Sequence, residues 1–176
     1  SQGVEAYLPS VAITEEGVFW AEQFAWRGLT LKGGIRHDRI DYNVDEDTIR
    51  DGRGMGSLAK DRSFNTTNAS VSLRYDLPYG LFVQGRYDDA ERAPSLIELY
   101  SNGNHFGILT EEQGNSGLSV EEAETVELAI GIDSRRYSAS VRAYKTEFDN
   151  YIYLGNTGMS RTLPVREWRQ AATDIE

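Results

Sequence analysis

Two histidines and a scatter of carboxylates are the residues of this chain with metal-binding or proton-transfer chemistry. His105 shortly precedes Glu111 and Glu112. Imidazole beside carboxylates suits Zn²⁺, so His105, Glu111 and Glu112 form a candidate metal set. The plainer and preferred reading of His105 is an exposed loop histidine. His37 stands next to Asp38 and near Asp41. It is read as a solvated or interior polar residue before a metal ligand. Cysteine is absent, which removes thiolate zinc sites, a thiol nucleophile and any disulfide. No Ser/His/Asp arrangement or carboxylate pair has catalytic context, so the chain is expected not to be an enzyme and to need no cofactor beyond a bound ion such as zinc. Asp45-Glu46-Asp47 with Asp51 fails the calcium-loop pattern: Ile49 stands where an oxygen ligand is needed and the sixth position is not glycine. The glycine-rich stretch 52–56 lacks the Lys and Ser/Thr of a phosphate loop.

The elements that would position these groups are strands. Period-two alternation dominates. In 68–77, Ala69, Val71, Leu73, Tyr75 and Leu77 share one face, and Asn68, Ser70, Ser72, Arg74 and Asp76 the other. The same holds for 29–38, 81–88, 126–133 and 137–144. Connections alternate between tight polar turns, at Arg27-Gly28, Pro78-Tyr79-Gly80 and Ser134-Arg135-Arg136, and long polar loops over 42–63, 89–123 and 155–162. Short turns on one side and long loops on the other give the rhythm of an outer-membrane barrel. Trp20, Trp26, Tyr75, Tyr79, Tyr87, Tyr137 and Tyr144 are placed near strand ends, as an interfacial girdle would be. Pro94 starts a helical turn over 93–100. The expected fold is therefore all-β: an antiparallel meander of six or seven strands, forming part of a transmembrane barrel with long extracellular loops and short periplasmic turns. Periodicity alone leaves a soluble β-sandwich, used for binding or adhesion, equally open. In a barrel, Val71, Leu73, Val126, Leu128, Ile130, Ala139 and Val141 face lipid; in a sandwich they pack face to face.

The charge is −10, from 28 acidic against 18 basic residues, which disfavours a nucleic-acid partner. No stretch has the roughly 18 apolar residues of a membrane-spanning helix, a fact that leaves strands free to cross. Ser1-Gln2-Gly3 carries no basic-then-apolar leader, and Asp174-Ile175-Glu176 stops without turn or cap. The expectation is a piece, residues 1–176, of a longer chain.

One stretch adds a resemblance. Glu91-Arg92-Ala93-Pro94-Ser95-Leu96-Ile97-Glu98-Leu99-Tyr100 resembles the TonB-dependent receptor family, whose members often carry Arg-Ala-Pro, a hydrophobic and acidic pair and Leu-Tyr where a strand runs into an extracellular loop. Ser101-Asn102-Gly103-Asn104-His105 is similar to the Asn-Gly-Pro-His run of one branch, with Asn104 in place of the proline. Gly114-Asn115-Ser116-Gly117-Leu118 and Glu121 to Leu128 look like the family's passage into the next strand. Tyr144 to Leu154 is similar to the family's succeeding strand and loop. The likeness is dense over 82–170; the family's plug domain and TonB box find no counterpart. It implies a 22-stranded barrel with a plugged lumen, an outer-membrane location, and uptake of a metal ion, metal chelate or siderophore driven by the TonB complex through regions outside this chain. Its branch includes proposed zinc-uptake receptors. Tyr100, Asn104, His105 and Phe106 become candidate ligand contacts. Glu91, Arg92 and Glu98 become a structural cluster at the base of the long loop, since an arginine fork holds a carboxylate in two-point geometry. The implied partners are outer-membrane lipid, TonB and a small solute or metal chelate.

Overall fold

The computed structural model describes residues 8–45 and 59–173. The stretch 52–56, most of the acidic run from Asp45 to Asp51, and both chain ends fall outside them. Seven long strands make the wall: β1 Val11–Trp26, β2 Leu29–Val44, β3 Arg62–Asp76, β4 Leu81–Arg92, β7 Glu121–Asp133, β8 Ser138–Ser160 and β9 Pro164–Thr173. Between β4 and β7 the chain makes an excursion. It holds a short helix, α1 Leu96–Tyr100, and a small ribbon of β5 Asn102–His105 and β6 Thr110–Gln113. All nine strands lie in one sheet of order β1-β2-β3-β4-β7-β8-β9-β6-β5. Every pairing is antiparallel except β6 with β9.

The turns follow from backbone chemistry. Arg27 and Gly28 have φ of 47° and 83°, the double left-handed conformation of a two-residue turn whose twist matches the strands it joins. Residues 134–137 close by Ser134, whose amide donates to the Tyr137 carbonyl at 3.0 Å.

Register carries the alternation across the sheet. Phe24, Leu31, Leu73, Gly85, Leu128 and Ala143 follow one another across six strands, as do Trp26, Leu29, Tyr75, Val83, Ile130 and Val141. The polar face has its own rows, such as Gln23, Lys32, Ser72, Arg86, Glu127 and Tyr144. The residues named as lipid-facing are exposed: Leu73 is 47%, Leu128 57% and Val141 71% accessible. No second sheet packs on them among the described residues, so the sandwich alternative fails and the expected barrel wall stands. Strands of 15 or 16 residues exceed the roughly 9–11 needed to cross a bilayer, so they project beyond it.

Three expectations need correction. Residues 155–162 are not a long loop: β8 runs 23 residues to Ser160 and turns at Arg161–Leu163. Outside the bilayer neither face must be apolar, so the alternation that marks a strand fades while its ladder continues. Strands β2 and β3 run past the alternating segments for the same reason. Of the expected aromatic girdle, Trp26, Tyr75, Tyr79 and Tyr137 lie at the short-turn end, but Trp20 and Tyr87 sit mid-strand and Tyr144 lies on the polar face opposite Glu127.

The packed core is local. Tyr42, Phe64, Leu99, Tyr100, Leu118 and Ile152 cluster where the excursion folds onto the polar side of the strand ends, with Trp168 and Leu96 against them. Each fully buried side chain of this kind stabilises by about 1.5–3 kcal/mol.

Candidate ligand-binding site

The excursion leaves and rejoins the wall at one register pair, Arg92 opposite Glu121. Arg92 grips Glu121 in two-point geometry, Nε and Nη2 each donating at 3.1 Å, and gives Nη1 to Glu98 at 2.9 Å. Glu121 also accepts the Ile152 amide at 2.7 Å. Glu98 closes a capping box on α1, accepting the Ser95 amide at 2.7 Å while its own amide donates to Ser95 Oγ. One guanidinium thus ties β4, β7 and α1, and Glu121 extends the tie to β8. Of the expected cluster, Arg92 and Glu98 come together. Glu91 turns to the opposite face, where its carboxylate accepts the Thr67 amide at 2.6 Å. Glu121 is the partner that sequence reasoning missed; its pairing is a matter of register and leaves no local signal.

The rest of the excursion is seated by long-range bonds. Tyr42 donates to the Pro94 carbonyl at 3.1 Å, Tyr100 to the Lys60 carbonyl at 2.8 Å, and Arg62 to the carbonyls of Ser116 and Leu118. Gly114 has no room for a side chain: a Cβ there meets the backbone nitrogens of Tyr100 and Ser101 at 2.6 Å. Tyr100 is wholly buried, so the expected ligand contact is a core residue. Burial pushes its phenol up to about 12.

The ribbon carries the exposed chemistry. His105 faces Thr110, Asn104 faces Glu111 and Gly103 faces Glu112. Alternation therefore puts Glu112 on the face of His105 and turns Glu111 to the other side. His105 Nδ1 lies 2.7 Å from Glu112 Oε1; Glu112 is buried and the His105 side chain 44% exposed. Glu111 instead takes Arg161 Nη1 at 2.5 Å. The three residues of the candidate metal set are thus split, and among the described residues no group of three or more His, Asp and Glu side chains could hold an ion. His37 bonds Thr67 through Nδ1 at 3.0 Å, while Asp38 holds Arg36 and Asp41 holds Arg39. Asn104 is exposed, and the ribbon's tip presents Phe106, Ile108 and Leu109 to the outside. The site is one oriented imidazole beside an apolar tip. Ile108 and Leu109 were not anticipated, because two apolar residues in a polar loop read as incidental.

A single-layer wall, apolar outward and polar inward, with short turns at one end and a folded excursion at the other, defines an outer-membrane barrel. The chain belongs to the family described as TonB dependent receptor-like, beta-barrel, which it matches over residues 3–172; members of that family are outer-membrane transport proteins and not enzymes. Hemoglobin-haptoglobin-binding protein A of Haemophilus influenzae is 28% identical over 105 residues, 58% of this chain and 10% of that protein. The Serratia marcescens hemophore receptor HasR, solved as a double mutant in complex with its hemophore HasA and heme, superposes with a TM-score of 0.74 at 17% identity, over 98% of this chain and 32% of that one. The copper transporter OprC gives 0.72 at 16% identity, over 91% and 24%. This chain therefore spans a tenth to a third of the length of these relatives.

Proposed function

We propose that this chain is part of the barrel wall and outer mouth of a receptor that takes up a metal chelate of the iron-porphyrin type, with transport coupled to TonB through parts of the receptor outside this sequence. The observation that carries the reading is His105, its Nδ1 held by the buried carboxylate of Glu112, next to the exposed apolar tip of Phe106, Ile108 and Leu109. A carboxylate behind an imidazole fixes the ring's orientation for ligation. A bare ion needs three or four protein ligands. A metal already held in a flat organic ring needs one axial ligand and an apolar surface, and that is what the ribbon offers. The relatives' names run the same way for heme and for hemoglobin, while the copper transporter's name points to a metal ion instead.

The test uses the full receptor, purified in detergent and titrated with hemin by absorbance. His105→Ala is expected to weaken binding more than tenfold and Glu112→Gln by about tenfold, the usual cost of losing a ligand's supporting carboxylate. Hemin binding unchanged in His105→Ala sinks the porphyrin reading. Parallel calorimetry with zinc and copper salts then shows whether a bare ion is the cargo.

A further inference from the structure

The β5–β6 ribbon meets the wall's ladder through few backbone pairs. β5 pairs only with β6 among the described residues, and β6 meets the wall through three parallel register pairs, Glu111 with Val165, Glu112 with Arg166 and Gln113 with Glu167. A two-stranded ribbon is marginal on its own in water. A side chain from the wall adds a further fixing. Arg161, in the tight turn between β8 and β9, reaches Glu111 at 2.5 Å, and its own amide is anchored on the Leu163 carbonyl at 3.0 Å. Glu111 is mostly covered while Arg161 is exposed. Solvent therefore reaches the pair from the arginine's side only.

Glu111 and Glu112 are consecutive, so they point to opposite faces of the same two residues of backbone. What fixes Glu111 from one side fixes Glu112 on the other, and Glu112 holds His105. We infer that Arg161 is a positioning residue for His105, seating the ribbon against β9 through Glu111 and so setting where the imidazole stands. This inference rests on the porphyrin reading only for its cargo; the seating itself is a property of the free receptor.

The test again uses the full receptor, and needs one addition: Gln113→Cys with Glu167→Cys, a register pair in a sequence that contributes no other cysteine. Without cargo, the rate of disulfide formation in this pair reports whether the ribbon is seated. It is expected to fall several-fold when Arg161→Ala is added and to recover with Arg161→Lys. With hemin, Arg161→Ala is expected to weaken binding about tenfold, and the oxidised cysteine pair to restore it without Arg161. An unchanged disulfide rate in Arg161→Ala overturns the proposal, because the ribbon is then seated without the arginine. Binding that stays weak after the disulfide forms also overturns it, since Arg161 would then be touching cargo directly. If His105→Ala binds hemin like the wild type, the cargo reading fails while the disulfide rates still decide the seating.

Discussion

The wall and the excursion are built by opposite rules. In the wall, a residue's surroundings follow from its parity and its register partner: Leu128 lies between Gly85 and Ala143 on the apolar face, and its neighbour Glu127 between Arg86 and Tyr144 on the polar one. In the excursion, surroundings follow from contacts far apart in sequence, such as Tyr42 with Pro94, Arg62 with Leu118 and Arg161 with Glu111. The wall has almost no packed interior, and its apolar side chains stand exposed where lipid covers them. The buried core forms where the excursion's Leu99, Tyr100 and Leu118 meet Tyr42, Phe64 and Ile152 of the strand ends. Two solvents explain the contrast. A strand in a bilayer needs its ladder complete and one face apolar; a loop in water needs a hydrophobic cluster to offset its ordering entropy.

The contrast is sharpest on the outward face. Leu128→Arg puts a charge into the lipid-facing band and is expected to cost about 3 kcal/mol, read as a lower urea midpoint for the receptor folded in lipid vesicles. Thr125→Arg, on the polar face between Asp88 and Thr146, is expected to cost less than about 1 kcal/mol. Equal costs would break the assignment of faces. In the excursion, the larger effect belongs to Arg92→Ala, which leaves Glu98 and Glu121 covered without their cation. It is expected to cost about 2 kcal/mol, with faster proteolysis within 93–120 and no change in the wall's strand content by circular dichroism. Arg92→Lys recovers only part, because an ammonium cannot fork to two carboxylates. Loss of wall structure in either variant would show that the wall's strands depend on the seated excursion as well as on their own ladder.

The same contrast sets how much of the molecule is legible in its sequence. Alternation at Ala69 to Leu77 is enough to name a two-faced strand, and Arg27-Gly28 enough to name its turn, because both signals lie within a few residues. The outer end of β8 hides, since a strand wetted on both faces loses its period while keeping its hydrogen bonds. The site divides likewise. His105 and the Arg92–Glu98 pair are visible as residue types in a suggestive loop. The pairing of two consecutive glutamates with partners on opposite sides depends on a register that only the folded ribbon fixes. Tyr100 misleads for a related reason: an aromatic in a loop reads as a contact for cargo until a core forms around it.

Tyr100 also gives the smallest and cleanest test. Its phenol donates to the Lys60 carbonyl at 2.8 Å, so Tyr100→Phe is expected to cost about 1 kcal/mol near neutral pH. Above that range the sign changes in a defined way. Burial pushes the folded phenol up to about 12, against about 10 in an unfolded chain. The raised value means that folding favours the neutral form. Tyr100 thus contributes stability that is whole below about pH 10 and is lost as pH climbs toward 12. Urea midpoints measured from pH 9 to 12 should fall more steeply for the wild type than for Tyr100→Phe, the other tyrosines cancelling in the difference. Parallel curves would mean that Tyr100 ionises as freely in the folded receptor as in the unfolded chain, and that the excursion does not close a core against the strand ends.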